Sequence, residues 1–215
     1  MIIRTKSGDF QSGNTSVLLD FLGIQKEAEG IQKITGEVEL IASVPFALNN
    51  EQEVSIKENG IAWTFSTFDL DRFGERIDPA GWEFKQYCKN PVIEWAHCFH
   101  IPAIGRADQI HADENGLHGV LIFNDKEYDQ FGWSIGQRVK AGVIRAGSVG
   151  FRVMEIEIPS KEESKDGTSL IFRKQELLEF SICNVPANPF ALAKSNEQRV
   201  TNNATNFLSC LINNL

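Results

Sequence analysis

Apolar residues return at every second position in several short runs of this chain, and at helical spacing in only one. Ile61 to Phe68 alternates aromatic and aliphatic side chains with Thr and Ser, and Phe151 to Ile158 alternates in the same way. Val92 to Trp95, Leu170 to Phe172 and Leu177 to Val185 read as further strands. Turn signals separate them: Glu58-Asn59-Gly60, Asp78-Pro79 and Asn90-Pro91. Ile104 to Ile110 and Leu117 to Phe123 are joined by Asp113-Glu114-Asn115-Gly116, a hairpin signal because Asn-Gly accepts positive φ. Trp82 to Tyr87 reads as a helical turn.

The single helical pattern follows Asn124 or Asp125, either of which can cap it. Glu127 stands where a capping-box acid belongs if Asn124 is the cap. Tyr128, Phe131, Ile135 and Val139 fall on one face, and Gly142 can end the helix. Many strands, few helices and no alternation of strand with crossover helix predict a β-rich α+β fold, a small closed or partly closed barrel with peripheral helices.

The division expected along the chain is an N-terminal extension over 1–57, a body over 58–193 and a loose tail over 194–215. Within the extension, Ser7 to Ser16 is small and polar, Val17 to Ile24 is apolar, and Thr35 to Phe46 has room for a strand. The tail is polar and rich in Asn. Apolar residues make up 42% of the 215 positions, the usual share for a chain that builds one core. The formal charge of -8 argues against a nucleic-acid surface, which needs a basic patch. No apolar run approaches the ~18 residues of a membrane span. Arg4 and Lys6 are followed by no long apolar segment, so a secretory signal is not expected. Cys88, Cys98, Cys183 and Cys210 lack paired spacing and read as reduced thiols of a cytosol-like compartment.

Three positions carry possible chemistry. Ser148 lies in Arg145-Ala146-Gly147-Ser148-Val149-Gly150-Phe151, which reads as a small-residue turn. Flanking glycines would expose the hydroxyl and leave amides free for an oxyanion. Gly-Ser turns are common, and a plain turn serine fits the same letters. The stretch nearly matches the nucleophile elbow G-x-S-x-G, with Ala146 in place of the first glycine. That elbow requires a histidine after the serine. All four histidines here, His97, His100, His111 and His118, precede it, which excludes the α/β-hydrolase order and disfavours an unrelated esterase.

His97 ends an apolar strand beside Trp95, where a side chain can be held rigidly as a base or simply as a structural hydrogen-bonding histidine. His111 and His118 flank the hairpin. Glu179 is a lone acid within Leu177-Leu178-Glu179-Phe180-Ser181. It can orient a histidine, or alternation can turn it to solvent. His97-Cys98-Phe99-His100 has no second ligand pair, so neither a metal nor a cofactor is expected.

Four segments, in order from Gly60 to Ala193, resemble the prohead serine proteases of tailed phages, the HK97-type head maturation proteases. They are Phe65-Ser66-Thr67-Phe68 through Asp71 to Asp78-Pro79-Ala80-Gly81-Trp82; Asn90-Pro91-Val92-Ile93-Glu94-Trp95-Ala96-His97 with Ile101-Pro102-Ala103-Ile104-Gly105-Arg106; Gly142 to Phe151; and Leu178-Glu179-Phe180-Ser181 with Val185-Pro186-Ala187-Asn188-Pro189-Phe190-Ala191. Two features depart from the family pattern. Cys98 follows His97 where an acid is usual, and the proline of the first step is displaced.

The resemblance implies a serine endopeptidase with His97 as general base, Ser148 as nucleophile and Glu179 as third member. His111 is the alternative third member, as in the herpesvirus assembly proteases whose barrel the family resembles. In that mechanism amides near Val149 or Gly150 are the expected oxyanion donors, with Arg145 or Arg152 assisting. The implied partners are the major capsid protein and its scaffold segment, with self-association and self-cleavage of the tail. The implied place of action is the prohead in the host cytoplasm. The competing expectation is a catalytically silent capsid-assembly or scaffold-associated protein with the same fold.

Overall fold

The computed structural model describes residues 2–5, 8–11, 15–22, 24, 29–34, 39–44, 60–71 and 73–184. The turn at Glu58-Asn59, the ending motif from Val185 to Ala191 and the tail over 194–215 lie outside the described residues. In chain order the elements are β1 (Ile2–Thr5), β2 (Gly8–Gln11), α1 (Thr15–Leu22), β3 (Gly30–Lys33), β4 (Glu39–Val44), β5 (Ile61–Ser66), β6 (Glu75–Ile77), β7 (Trp82–Glu83), β8 (Val92–Trp95), β9 (Gly105–Asp113), β10 (Gly116–Phe123), α2 (Gln130–Lys140), β11 (Ala146–Ile158) and β12 (Leu170–Cys183). All the described strands belong to one sheet, whose main path runs β2-β1-β4-β11-β12-β8-β9-β10-β5. The fold is therefore β-rich α+β, as the alternation predicts. The strand expected within Thr35–Phe46 is β4, and it pairs with β11 directly.

The sheet curls. β5 lies four steps from β12 along the path, yet Phe65 of β5 stacks on Phe180 of β12 with centroids 4.2 Å apart. Trp63 meets the same ring edge-on at 6.0 Å. A flat sheet would hold such strands about 19 Å apart, four spacings of roughly 4.8 Å. Among the described residues β5 pairs with β10 alone, so the curl is a half-barrel rather than a ring closed by hydrogen bonds. Phe151 extends the aromatic core towards Trp82 and Phe172, with centroids at 5.7 and 5.1 Å. Each such ring, taken fully out of water, contributes about 1.5–3 kcal/mol.

β11 and β12 form the spine, pairing antiparallel from Ala146↔Cys183 to Glu157↔Ile171. The other edge of β12 takes β6, β7 and β8 in succession, all parallel. Both long strands exceed what their sequence suggests. β12 runs unbroken through Arg173-Lys174-Gln175-Glu176, between the two strands expected there, because neighbouring strands answer its charges. Arg173 pairs with Glu157 at 2.6 Å and Asp78 at 2.7 Å, Lys174 with Glu83 at 2.8 Å, and Glu176 with Arg152 at 3.0 Å.

Trp82 opens a strand rather than the expected helical turn. Its indole is buried against Phe151, while short helical turns lie on either side, at Pro79–Gly81 and Tyr87–Lys89. The hairpin at Asp113 forms as expected: the Asp113 carboxylate accepts from the amides of Asn115 and Gly116, and Gly116 has φ 153°.

α2 starts later than its sequence suggests. Asn124 does not cap it. Asn124 instead donates to Ala103 O and to Asp129, and Asp129 is the cap, accepting from Gly132 N at 3.0 Å. This shift leaves Tyr128 before the helix and 72% exposed, with Phe131 43% exposed. The buried face is Gly132, Ile135, Gly136 and Val139. The glycines permit close approach: a Cβ at Gly136 would stand 2.7 Å from the Phe123 ring.

Candidate active site

Ser148 is the third residue of β11, so it stands in a strand and not in the small-residue turn its neighbours suggest. The glycines around it serve packing. A Cβ at Gly147 would stand 2.5 Å from the Phe180 ring on the core face, and one at Gly150 would stand 2.4 Å from Glu179 Cγ on the opposite face. Ser148 pairs in register with Ser181, and Gly150 with Glu179, with no shift between them. Alternation puts Ser148, Gly150, Glu179 and Ser181 on one face, turned away from Phe180 and Ile182. Ser148 has 0% exposure.

β8 delivers the histidine to that face. It pairs parallel with β12, Phe180↔Ile93 and Ser181↔Glu94, and the chain then turns at Ala96 (φ 51°) and His97 (φ 57°). Left-handed backbone at a non-glycine residue costs on the order of 1 kcal/mol and persists only where its surroundings hold it. Here three hydrogen bonds do so: Ala96 N to Ile182 O at 2.9 Å, Cys98 N to Trp95 O at 3.0 Å, and His97 N to the Ser181 hydroxyl at 3.1 Å. Two of the three come from β12, so the strand that carries Glu179 also places the histidine.

The imidazole lies against the acid. His97 Nδ1 is 2.7 Å from Glu179 Oε1, with side-chain exposures of 12% and 7%. A carboxylate only accepts, so Nδ1 carries the hydrogen, and in the neutral ring Nε2 presents a lone pair. Nε2 is buried and has no hydrogen-bond partner, so His97 and Ser148 share the site without a hydrogen bond between them. Serine–histidine contacts that are loose in a free enzyme tighten when substrate binds.

Two further side chains crowd this pair, and the sequence reading missed both. Ser181 fixes the histidine backbone. Glu94, three residues before His97, is raised above the usual carboxylate range by burial and by the neighbouring Glu179, with His97 pulling the other way. Beneath them the Tyr87 hydroxyl donates to Val92 O at 2.7 Å, and burial above all pushes its phenol up, with Cys88, Glu179 and Glu94 adding to the shift. The only sequence signal for these residues is alternation in β8 and β12. It becomes informative once the register is known.

The other expected residues are placed elsewhere or otherwise. Val149 and Gly150 lie between Ala42 and Ile41 on one side and Phe180 and Glu179 on the other. Their amides therefore face ladders, whereas the oxyanion expectation relied on a turn. Arg145 Nε donates to Gly142 O at 2.7 Å, and Arg152 pairs with Glu176. His111, the alternative third member, is exposed with Nδ1 2.8 Å from Gln109 O; it is Glu179 that takes Nδ1 of His97. Among the described residues no group of three or more His, Cys, Asp or Glu is gathered for a metal, and Cys88 and Cys98 are free thiols.

The family model described as caudovirus prohead serine protease matches residues 43–205. No curated protein and no solved structure matches the chain.

Proposed function

The chain belongs to the caudovirus prohead serine proteases, and on that premise we propose that Ser148, His97 and Glu179 are its nucleophile, general base and orienting acid. The observation that carries this reading is the 2.7 Å contact from His97 Nδ1 to Glu179, with Nε2 left open on the face that holds Ser148. Family membership makes this a serine peptidase of phage head maturation, associated with capsid proteins.

The chemistry follows from the placement. Nε2 removes the Ser148 hydroxyl proton as Oγ bonds to the scissile carbonyl carbon. The resulting imidazolium is held by Glu179 through Nδ1–H. It then gives its proton to the leaving amine as the C–N bond breaks. Water next attacks the acyl-enzyme, losing a proton to Nε2, and the serine recovers its hydrogen as the acid departs. Because Ser148 is fully buried, acylation requires a displacement that uncovers Oγ. The substrates in this reading are the scaffold segment of the major capsid protein and the chain's own tail, cut inside the prohead in the host cytoplasm.

That same burial, with Nε2 unpartnered, is the observation that favours a second reading: a silent assembly protein that keeps the fold without cleaving. One experiment separates the two. The chain is incubated alone and with its cognate capsid protein, beside Ser148→Ala, and intact masses are followed over time. Discrete fragments that appear with the native chain and vanish with Ser148→Ala establish the protease. Whole chains in both cases, with capsid shells assembling normally, establish the silent reading.

A further inference from the structure

Three buried polar atoms on described residues of this face have no hydrogen-bond partner: His97 Nε2, Glu179 Oε2 and Glu94 Oε2. The first two belong to the proposed catalytic group. The third is unexplained. A buried carboxylate oxygen without a donor is unfavourable unless something compensates it. No lysine or arginine among the described residues forms an ion pair with Glu94 or Glu179; the recorded ion pair of Glu179 is with His97.

The register explains what Glu94 faces. Glu94 pairs with Ser181, which pairs with Ser148, giving a row Glu94–Ser181–Ser148 across β8, β12 and β11. Directly paired residues turn their side chains to the same face. Glu94 therefore flanks the surface where His97 lies, a diagonal of about 7 Å from Glu179 by strand geometry. The titratable groups around the imidazole are then Glu94 from β8, Glu179 from β12, and Tyr87 with Cys88 from the short turn below.

We propose that Glu94 is a positioning residue of this site, a second carboxylate that acts through His97 and Glu179 to stabilise the imidazolium formed as Ser148 attacks. In the resting site two acids flank one imidazole. When His97 takes the serine proton, both acids gain a cation. The interaction is stronger in the transition state than in the ground state, and only such interactions raise turnover. The raised proton affinity of Glu94, caused by burial and then by Glu179 and opposed by His97, matches a carboxylate poised for that cation. The inference rests on the assignment of His97 and Ser148 made above.

The test compares the native chain, Glu94→Gln, Glu94→Asp and Ser148→Ala by steady-state cleavage of a capsid-derived peptide across pH. Glu94→Gln keeps the shape and removes the charge. A less stabilised imidazolium keeps Nε2 free to lower pH, so the acid limb of kcat/KM moves down by roughly half to one pH unit. Turnover falls by about three- to tenfold, KM stays within about twofold, and Glu94→Asp restores the limb. A limb that does not move, or a change confined to KM, overturns the proposal. Cleavage that survives Ser148→Ala overturns the underlying assignment instead. A readout independent of turnover is the NMR titration of the His97 imidazole in the full chain carrying Ser148→Ala. Its midpoint falls when Glu94→Gln is added if the proposal holds, and an unchanged midpoint in a folded double variant overturns it.

Discussion

Two histidines of this protein each contact a carboxylate, and the two sites differ in what the second ring nitrogen meets and in backbone conformation. His118 has both ring nitrogens committed: Nδ1 is 3.1 Å from the Thr64 hydroxyl and Nε2 is 3.0 Å from Asp113. It rises from strand β10 opposite Thr64. His97 has one nitrogen committed, to Glu179, and one open. Its backbone is left-handed. A saturated histidine can only hold structure in place. An unsaturated one, kept in a costly conformation by the strand that bears its acid, keeps a ring nitrogen uncommitted.

The largest effect expected at the open site comes from Glu179→Gln. An amide can offer its NH2 to Nδ1 and so favour the wrong tautomer, which lowers kcat by about 10³–10⁴-fold with little change in fold, measured by peptide cleavage and circular dichroism. Retained activity would remove Glu179 from the mechanism.

A smaller effect follows from Gly150→Ala, which places a methyl group 2.4 Å from Glu179 Cγ and so pushes the acid off the imidazole. Misplacement on the ångström scale costs about 10–100-fold in kcat. Normal cleavage would show that the acid tolerates displacement.

The smallest effect on cleavage is expected at the saturated site. His118→Gln leaves the rate per folded molecule unchanged but strips donors or acceptors from Thr64 and Asp113. It lowers stability by about 1–3 kcal/mol, read from urea unfolding. If this variant loses cleavage while remaining folded, the contrast between the two histidines collapses.

The contrast also marks how far sequence carries. Motif and resemblance single out His97, Ser148 and Glu179 as candidates, and in the folded chain His97 contacts Glu179 on the face that Ser148 shares. What sequence could not supply was register. Glu94 and Ser181 meet only because β8 pairs parallel with a strand more than eighty positions further along the chain, and period-two alternation contains no information about such pairing. The glycines that flank Ser148 suggest a turn to anyone with the sequence alone. In the folded chain those glycines answer to Phe180 and Glu179, neighbours that local sequence does not reveal. The start of α2 failed for a related reason: Asn124, Asp125 and Asp129 are all good caps, and tertiary contacts choose among them.

The register shifts between β11 and β12 all fall beyond Gly150, so Ala146–Gly150 runs against Cys183–Glu179 as five uninterrupted rungs. The spacing of serine and acid is thereby gauged by the repeat of the peptide unit, a length that sequence drift elsewhere cannot alter. Loop 159–169 and the hairpin at Asp113 lie outside those rungs and are held by contacts of their own, Asp166 to Arg76 and Asp113 to His118. A single residue inserted between Ser148 and Gly150 would turn the serine to the face opposite Glu179 unless a bulge absorbed it.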